Sequence, residues 1–113
     1  MIDQLSAGKR RTSVVNITSR MGSMDNNSSG GYYPYRTSKA ALNMITKSLA
    51  VDLKPKGIQV IALHPGWVRT DMGGPSGKMT AEECVNYLIP TIKGFNESDI
   101  GKMLDYDGKV IPW

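Results

Sequence analysis

The sequence predicts an α/β fold with a parallel sheet, built from a strand, a long helix and a second strand. Three observations predict it. Thr12 to Thr18, TSVVNIT, is a short β-branched run of strand length. Tyr35 to Lys54 carries apolar residues at helical spacing, with Pro34 at its start and Pro55 and Gly57 closing it. Ile58 to Leu63, IQVIAL, is a second apolar run, ended sharply by His64-Pro65-Gly66. A strand–helix–strand unit implies parallel strands joined by a right-handed crossover, with ligands bound beyond the carboxyl ends of the strands. Those ends are Thr18-Ser19 and Pro65-Gly66.

Between the first strand and the helix, Asp25 to Gly31 (DNNSSGG) is a loop of turn formers. On the helix, Leu42, Leu49 and Leu53 share one face, and Ala41, Met44, Ile45 and Ser48 an adjoining one, which makes a wide apolar stripe. Thr80 with Glu83 forms a capping box, so a shorter helix starts there, with Cys84, Tyr87 and Leu88 at helical spacing and a kink or stop near Pro90. The tail from Gly101 to Ile111 has an Asp107-Gly108 turn between apolar stretches and reads as a last strand or hairpin. Two or three strands with a helix on one side leave one sheet face uncovered and the first strand with a bare edge. No G-x-G-x-x-G turn occurs in the chain. The expectation is therefore a single partial domain over residues 1–113, about half of a complete fold.

Composition excludes several functions. The 113 residues carry 14 Lys and Arg against 10 Asp and Glu, a net charge of +4, but only Lys9, Arg10 and Arg11 cluster. A nucleic-acid binder concentrates its basic residues on one stripe with stacking aromatics among them, so no nucleic-acid partner is expected. The apolar runs fall short of the roughly 18 residues that a membrane span needs, and the opening MIDQLSAGKRR has no signal-peptide pattern. Cys84 is the only cysteine, which fits a reducing compartment and a cytoplasmic protein. His64 has no second ligand at metal spacing, so no metal site is expected and His64 reads as a structural or exposed residue.

Tyr35 and Lys39 are four residues apart, on one face of the helix and one turn from each other. An ammonium beside a phenol favours the phenolate, and a tyrosine so placed can give or take a proton at an alcohol or carbonyl oxygen. Tyr32 and Tyr33 have Arg36 and Thr37 in that register, so Tyr35 alone has a lysine there. Ser19 falls just after the first strand, where a hydroxyl can hydrogen-bond an oxygen on which charge develops. By position alone, Thr18 and Ser23 are equal rivals for that role.

NITSRMGS (Asn16 to Ser23), YRTSKAAL (Tyr35 to Leu42) and HPGWVRTDM (His64 to Met72), in this order and spacing, resemble the short-chain dehydrogenases/reductases. The resemblance spans roughly Ser13 to Trp113, and the ending LDYDGKVIPW is most similar to the branch of C-factor and the sniffer-type carbonyl reductases. It implies the carboxyl-terminal portion of a Rossmann-like doubly wound sheet, and hydride transfer between a nicotinamide dinucleotide and a carbonyl or alcohol. By the same resemblance Tyr35 is the proton donor, Lys39 lowers the tyrosine's pKa and holds the nicotinamide ribose, and Ser19, not Thr18, binds the substrate oxygen. Pro65, Gly66, Val68 and Thr70 match positions around the nicotinamide carboxamide and diphosphate, Trp67 and Arg69 match variable ones, and Gly73 and Gly74 fall in a substrate loop. The branch implies NADP(H) over NAD(H), and the family implies a homo-oligomer formed through the Tyr35 to Lys54 helix.

The family's glycine-rich loop, its NAD/NADP-selecting residue and the helix Asn of its proton relay have no counterpart in this sequence. A catalytic half without the adenosine and pyrophosphate site binds dinucleotide poorly, because remote binding energy positions the reacting atoms. The alternative reading is thus a truncated, non-catalytic chain that pairs with a full-length relative.

Overall fold

The computed structural model describes residues 12–68 and 74–113. Four strands form one sheet in the order β1 (Thr12–Ile17), β2 (Ile58–His64), β3 (Met103–Asp105), β4 (Val110–Ile111). β1 and β2 run parallel from Thr12 opposite Ile58 to Ile17 opposite Leu63. β2 and β3 are parallel from Ala62 opposite Met103 to His64 opposite Asp105. β3 and β4 close the sheet as an antiparallel hairpin, whose turn has Gly108 at φ +93°, a conformation open to glycine because it has no Cβ.

Among the described residues the two α-helices are α1 (Tyr33–Leu53) and α2 (Ala81–Gly94), and they cover opposite faces of the sheet. Ile58 and Val60 of β2 pack with Ala50 and Leu53 of α1. Ile61 and Leu63, the alternate residues of the same strand, pack with Leu104 and Phe95, with Leu88 and Ile92 of α2 beside them. β2 is therefore buried on both sides, which is why it reads as one continuous apolar run. This corrects the expectation of a helix on one side only. Among the described residues, β1 is an edge strand.

Two further expectations change. The buried stripe of α1 is Asn43, Thr46, Ala50 and Leu53, while Met44 and Ile45 face outward and Leu42 and Leu49 are half-buried. Two polar residues lie on the inner face because β1 and the residue after it answer them: Thr18 donates its hydroxyl to Asn43 Oδ1 at 2.6 Å, and Asn16 Nδ2 donates to Thr46 Oγ1 at 3.0 Å. Polar groups paired in this way are buried without an unsatisfied-donor penalty. The second difference is at Pro90, where a stop does not occur; α2 runs through the proline to Gly94. The proline removes one N–H donor from the helix ladder there without ending the helix. The start of α2 follows the sequence reading, with the Thr80–Glu83 capping box formed in both directions.

Candidate active site

The carboxyl ends of β1 and β2 and the first turn of α1 converge on a cleft of about 750 Å³, lined by Ser19, Tyr35, His64, Pro65, Gly66, Trp67 and Val68, among others. Each wall has a local cause. After β1 the chain turns tightly through a single 3-10 turn, Arg20–Gly22, and Ser19 caps it, its Oγ accepting the Met21 N–H at 3.1 Å. With that oxygen serving as an acceptor, the Ser19 O–H is left to donate. The neighbouring hydroxyls are committed elsewhere: Thr18 to Asn43, and Ser23 to the Pro112 carbonyl.

Gly22 lets this turn lie against α1. A Cβ at that position would stand 2.8 Å from the Lys39 carbonyl carbon and 2.9 Å from the Ala40 nitrogen. Both atoms are helix backbone and cannot yield. Gly22→Ala is expected to cost about 1–3 kcal/mol of stability, as overpacking does, and to lower turnover by moving the Ser19 turn away from α1. Thermal unfolding and kcat, measured on one preparation, check both effects.

The chain enters α1 through Gly30 and Gly31, with φ of +69° and +68°, and then Tyr32 at φ +53°. Pro34 sits in the first turn, where a missing N–H costs no intrahelical bond. Arg36 binds the entry together: its guanidinium donates to the Gly31 carbonyl at 3.1 Å, the Met21 carbonyl at 3.2 Å and Ser29 Oγ at 3.1 Å. Loop, turn and helix start are thereby one unit. Tyr35 faces the cleft and is 41% exposed, whereas Ser19 is only 7% exposed. Lys39, one turn further on, places Nζ 5.7 Å from the centre of the Tyr35 ring.

On the β2 side, Gly66 takes φ +84°, and a Cβ there would meet Met79 Cε at 2.5 Å and the Tyr106 ring at 3.0 Å. The Cys84 thiol, buried on α2, donates to the Pro65 carbonyl at 3.2 Å, and burial raises its pKa. Lys78 and Met79 donate their N–H groups to the Trp67 carbonyl at 2.8 and 3.2 Å, holding the strand end from the other side.

Of the residues singled out from sequence, Ser19, Tyr35, Pro65, Gly66 and Val68 share this cleft, and Lys39 lies beside Tyr35. Thr70 and Gly73 lie outside the described residues. Three contributors went unread. Arg36 looks like an ordinary helix cation, Asn43 like an interruption of the apolar stripe, and His64, which lines the cleft, like a bystander. A polar residue on a buried helix face, as at Asn43, is the one local signal that could have been followed.

A hydroxyl and a phenol share a cleft at the carboxyl ends of parallel strands, with an ammonium beside the phenol, and groups of these kinds can move a proton. The chain belongs to the short-chain dehydrogenase family, whose model, described as "short chain dehydrogenase", matches residues 1–81. Over all 113 residues it is 46% identical to C-signal of Myxococcus xanthus, covering 68% of that protein. Among solved structures it is similar to the carbonyl reductase Sniffer of D. melanogaster, with a TM-score of 0.93 and 38% identity over 99% of this chain and 48% of that one. It is also similar to the NADPH-bound carbonyl reductase from chicken fatty liver, with a TM-score of 0.82 and 38% identity over 89% of this chain and 42% of that one. The chain thus spans about half the length of these Rossmann-fold structures and corresponds to their carboxyl-terminal half.

Proposed function

We propose that this chain is the catalytic half of an NADP(H)-dependent oxidoreductase that reduces a small-molecule carbonyl, or oxidises the corresponding alcohol, and that residues 1–113 form one part of a single dinucleotide-binding domain. The observation that carries the reading is the joint placement of Ser19 and Tyr35 on one cleft, with Lys39 against the Tyr35 ring. The Ser19 hydroxyl donates to the substrate oxygen and stabilises the charge that grows there. Tyr35 delivers its phenolic proton to the same oxygen, and the Lys39 ammonium stabilises the phenolate that remains. In the oxidative direction Tyr35 takes the proton back.

The lining suits a nicotinamide. Pro65, Gly66, Trp67 and Val68 form a mostly apolar wall opposite two hydroxyls, against which a flat ring can rest. Tyr35, Lys39, Pro65, Gly66 and Val68, with Thr70, are the residues that would hold the nicotinamide-ribose end. Such a cofactor supplies or accepts the hydride. The preference for NADP(H) is supported by the NADPH-bound carbonyl reductase among the similar structures.

The outer face of α1 leaves Met44, Ile45 and Val51 exposed, and a second copy of the protein is the occupant proposed for it. A single buried cysteine supports a cytoplasmic setting, and no helix among the described residues is long and apolar enough to cross a membrane.

Titration of NADPH and of NADH into the protein, followed by calorimetry and by carbonyl-dependent oxidation of each, tests this function. Saturable NADPH binding with turnover is expected of a form that also supplies the adenosine and pyrophosphate site, in a particle whose mass by light scattering exceeds one chain. Absence of binding by the 113-residue chain, with turnover only in a longer form that contains it, assigns the chemistry to the complete domain. Absence of both in every form supports the truncated, non-catalytic reading.

A further inference from the structure

We propose that His64 is a positioning residue for Ser19, its neutral imidazole holding the peptide that carries the Ser19 hydroxyl into the cleft. The inference rests on the role given to Ser19 above. Thr18 donates its N–H to the Leu63 carbonyl at 2.9 Å, extending the β1–β2 ladder one residue past the strand. In a parallel ladder the next donor on this chain is the Arg20 N–H. The strand opposite is ending there: Pro65 has no N–H to offer, and its carbonyl accepts from the Cys84 thiol. The Arg20 N–H goes instead to His64 Nδ1, at 3.1 Å. A side chain thus takes the place of the missing rung and ties the Ser19 turn to β2.

Acceptance at Nδ1 requires a neutral imidazole with its proton on Nε2. The charged and titratable groups around it come from every neighbouring element. Asp105, its register partner on β3, is ion-paired to the Arg20 guanidinium at 2.5 Å. Cys84 approaches from α2, and Tyr35 of α1 lines the same cleft. Burial lowers the His64 pKa below its ordinary 6.5, Asp105 opposes the shift and Arg20 adds to it. The sign follows. Well above pH 6.5 the imidazole is uncharged in folded and unfolded states alike, and the bond is intact. As pH falls below 6.5 toward the lowered folded value, the unfolded state binds more protons and stability declines; at the folded pKa, Nδ1 becomes a donor facing another donor and the turn is released.

The test uses the active protein with His64→Leu, which removes the acceptor, and His64→Asn, whose Oδ1 can accept the same N–H. His64→Leu is expected to lower kcat about tenfold, the worth of one lost hydrogen bond. His64→Asn should retain most of kcat and lose the acid limb of its pH profile. In a Ser19→Ala background, His64→Leu should cost little more, since a residue that acts through Ser19 has nothing left to position. Equal impairment by both variants, or the same fold-loss from His64→Leu in both backgrounds, would overturn the proposal. Imidazole ¹⁵N shifts decide it independently of turnover: Nδ1 unprotonated at pH 7, with the Arg20 amide shift following the His64 titration, is the expected result. A protonated Nδ1 at that pH refutes the proposal even if the enzyme is active. The expected shifts in a protein without NADPH-dependent turnover would leave the His64 contact standing while the functional reading falls.

Discussion

Tyr35→Phe in the active protein is expected to lower kcat by about 10²–10⁴-fold, the range that a positioned acid or base supplies. The substitution removes one hydroxyl and leaves the ring, so the contact between that ring and the Lys39 ammonium survives. The side chain is 41% exposed, and no buried group is orphaned by the change. Stability should therefore stay within about 0.5 kcal/mol, as for other surface substitutions. Because the phenol acts on the bound substrate's oxygen, the loss should fall chiefly on kcat, with a smaller loss of cofactor affinity from the missing hydroxyl at the nicotinamide-ribose end. Steady-state kinetics with a thermal unfolding curve for the same sample read both quantities. Turnover within a few-fold of the parent would remove Tyr35 from the mechanism.

Ser19→Ala is expected to lower kcat by about 10²–10³-fold, comparable to the loss of one oxyanion donor in other enzymes. Neither neighbouring hydroxyl can substitute, since Thr18 is bonded to Asn43 and Ser23 to the Pro112 carbonyl. This variant should also lose stability, which distinguishes it from Tyr35→Phe. Ser19 Oγ accepts the Met21 N–H, and removal of a capping oxygen costs about 0.5–2 kcal/mol. Kinetics well below the unfolding temperature separate the two effects. A variant that is less stable yet fully active would make Ser19 a cap and nothing more.

Much of this frame is legible in the sequence because it depends on local signals. The β-branched run before Ser19, the apolar run before His64, the Thr80–Glu83 box and the Asp107-Gly108 turn each state their element within a few residues, and each element forms there. The family motifs add the expectation that Ser19, Tyr35 and the Pro65–Val68 segment meet, and these residues do line one cleft. What stays hidden depends on partners distant in sequence. Asn43 and Thr46 are inward-facing because Thr18 and Asn16 bond to them, so an apolar stripe drawn through the leucines finds Leu53 but misses the polar members of the buried face. The position of α2 on the opposite side of the sheet follows from the double burial of β2, which a strand-length apolar run suggests but cannot assign to a particular helix. His64 is the extreme case. Its role comes from the backbone N–H of Arg20, forty-four residues away in sequence, and a lone histidine before a proline carries no trace of it.

The proposed chemistry is delivery of a hydride to a carbonyl carbon while Tyr35 protonates the oxygen. A single turnover with NADPH deuterated at the transferring position of its nicotinamide, followed by mass analysis of the alcohol, tests it most directly. An alcohol one mass unit heavier, with deuterium on the carbinol carbon, is expected from the parent and almost none from Tyr35→Phe. Consumption of NADPH without label in the alcohol, or no product from any form of the protein containing these residues, would contradict it.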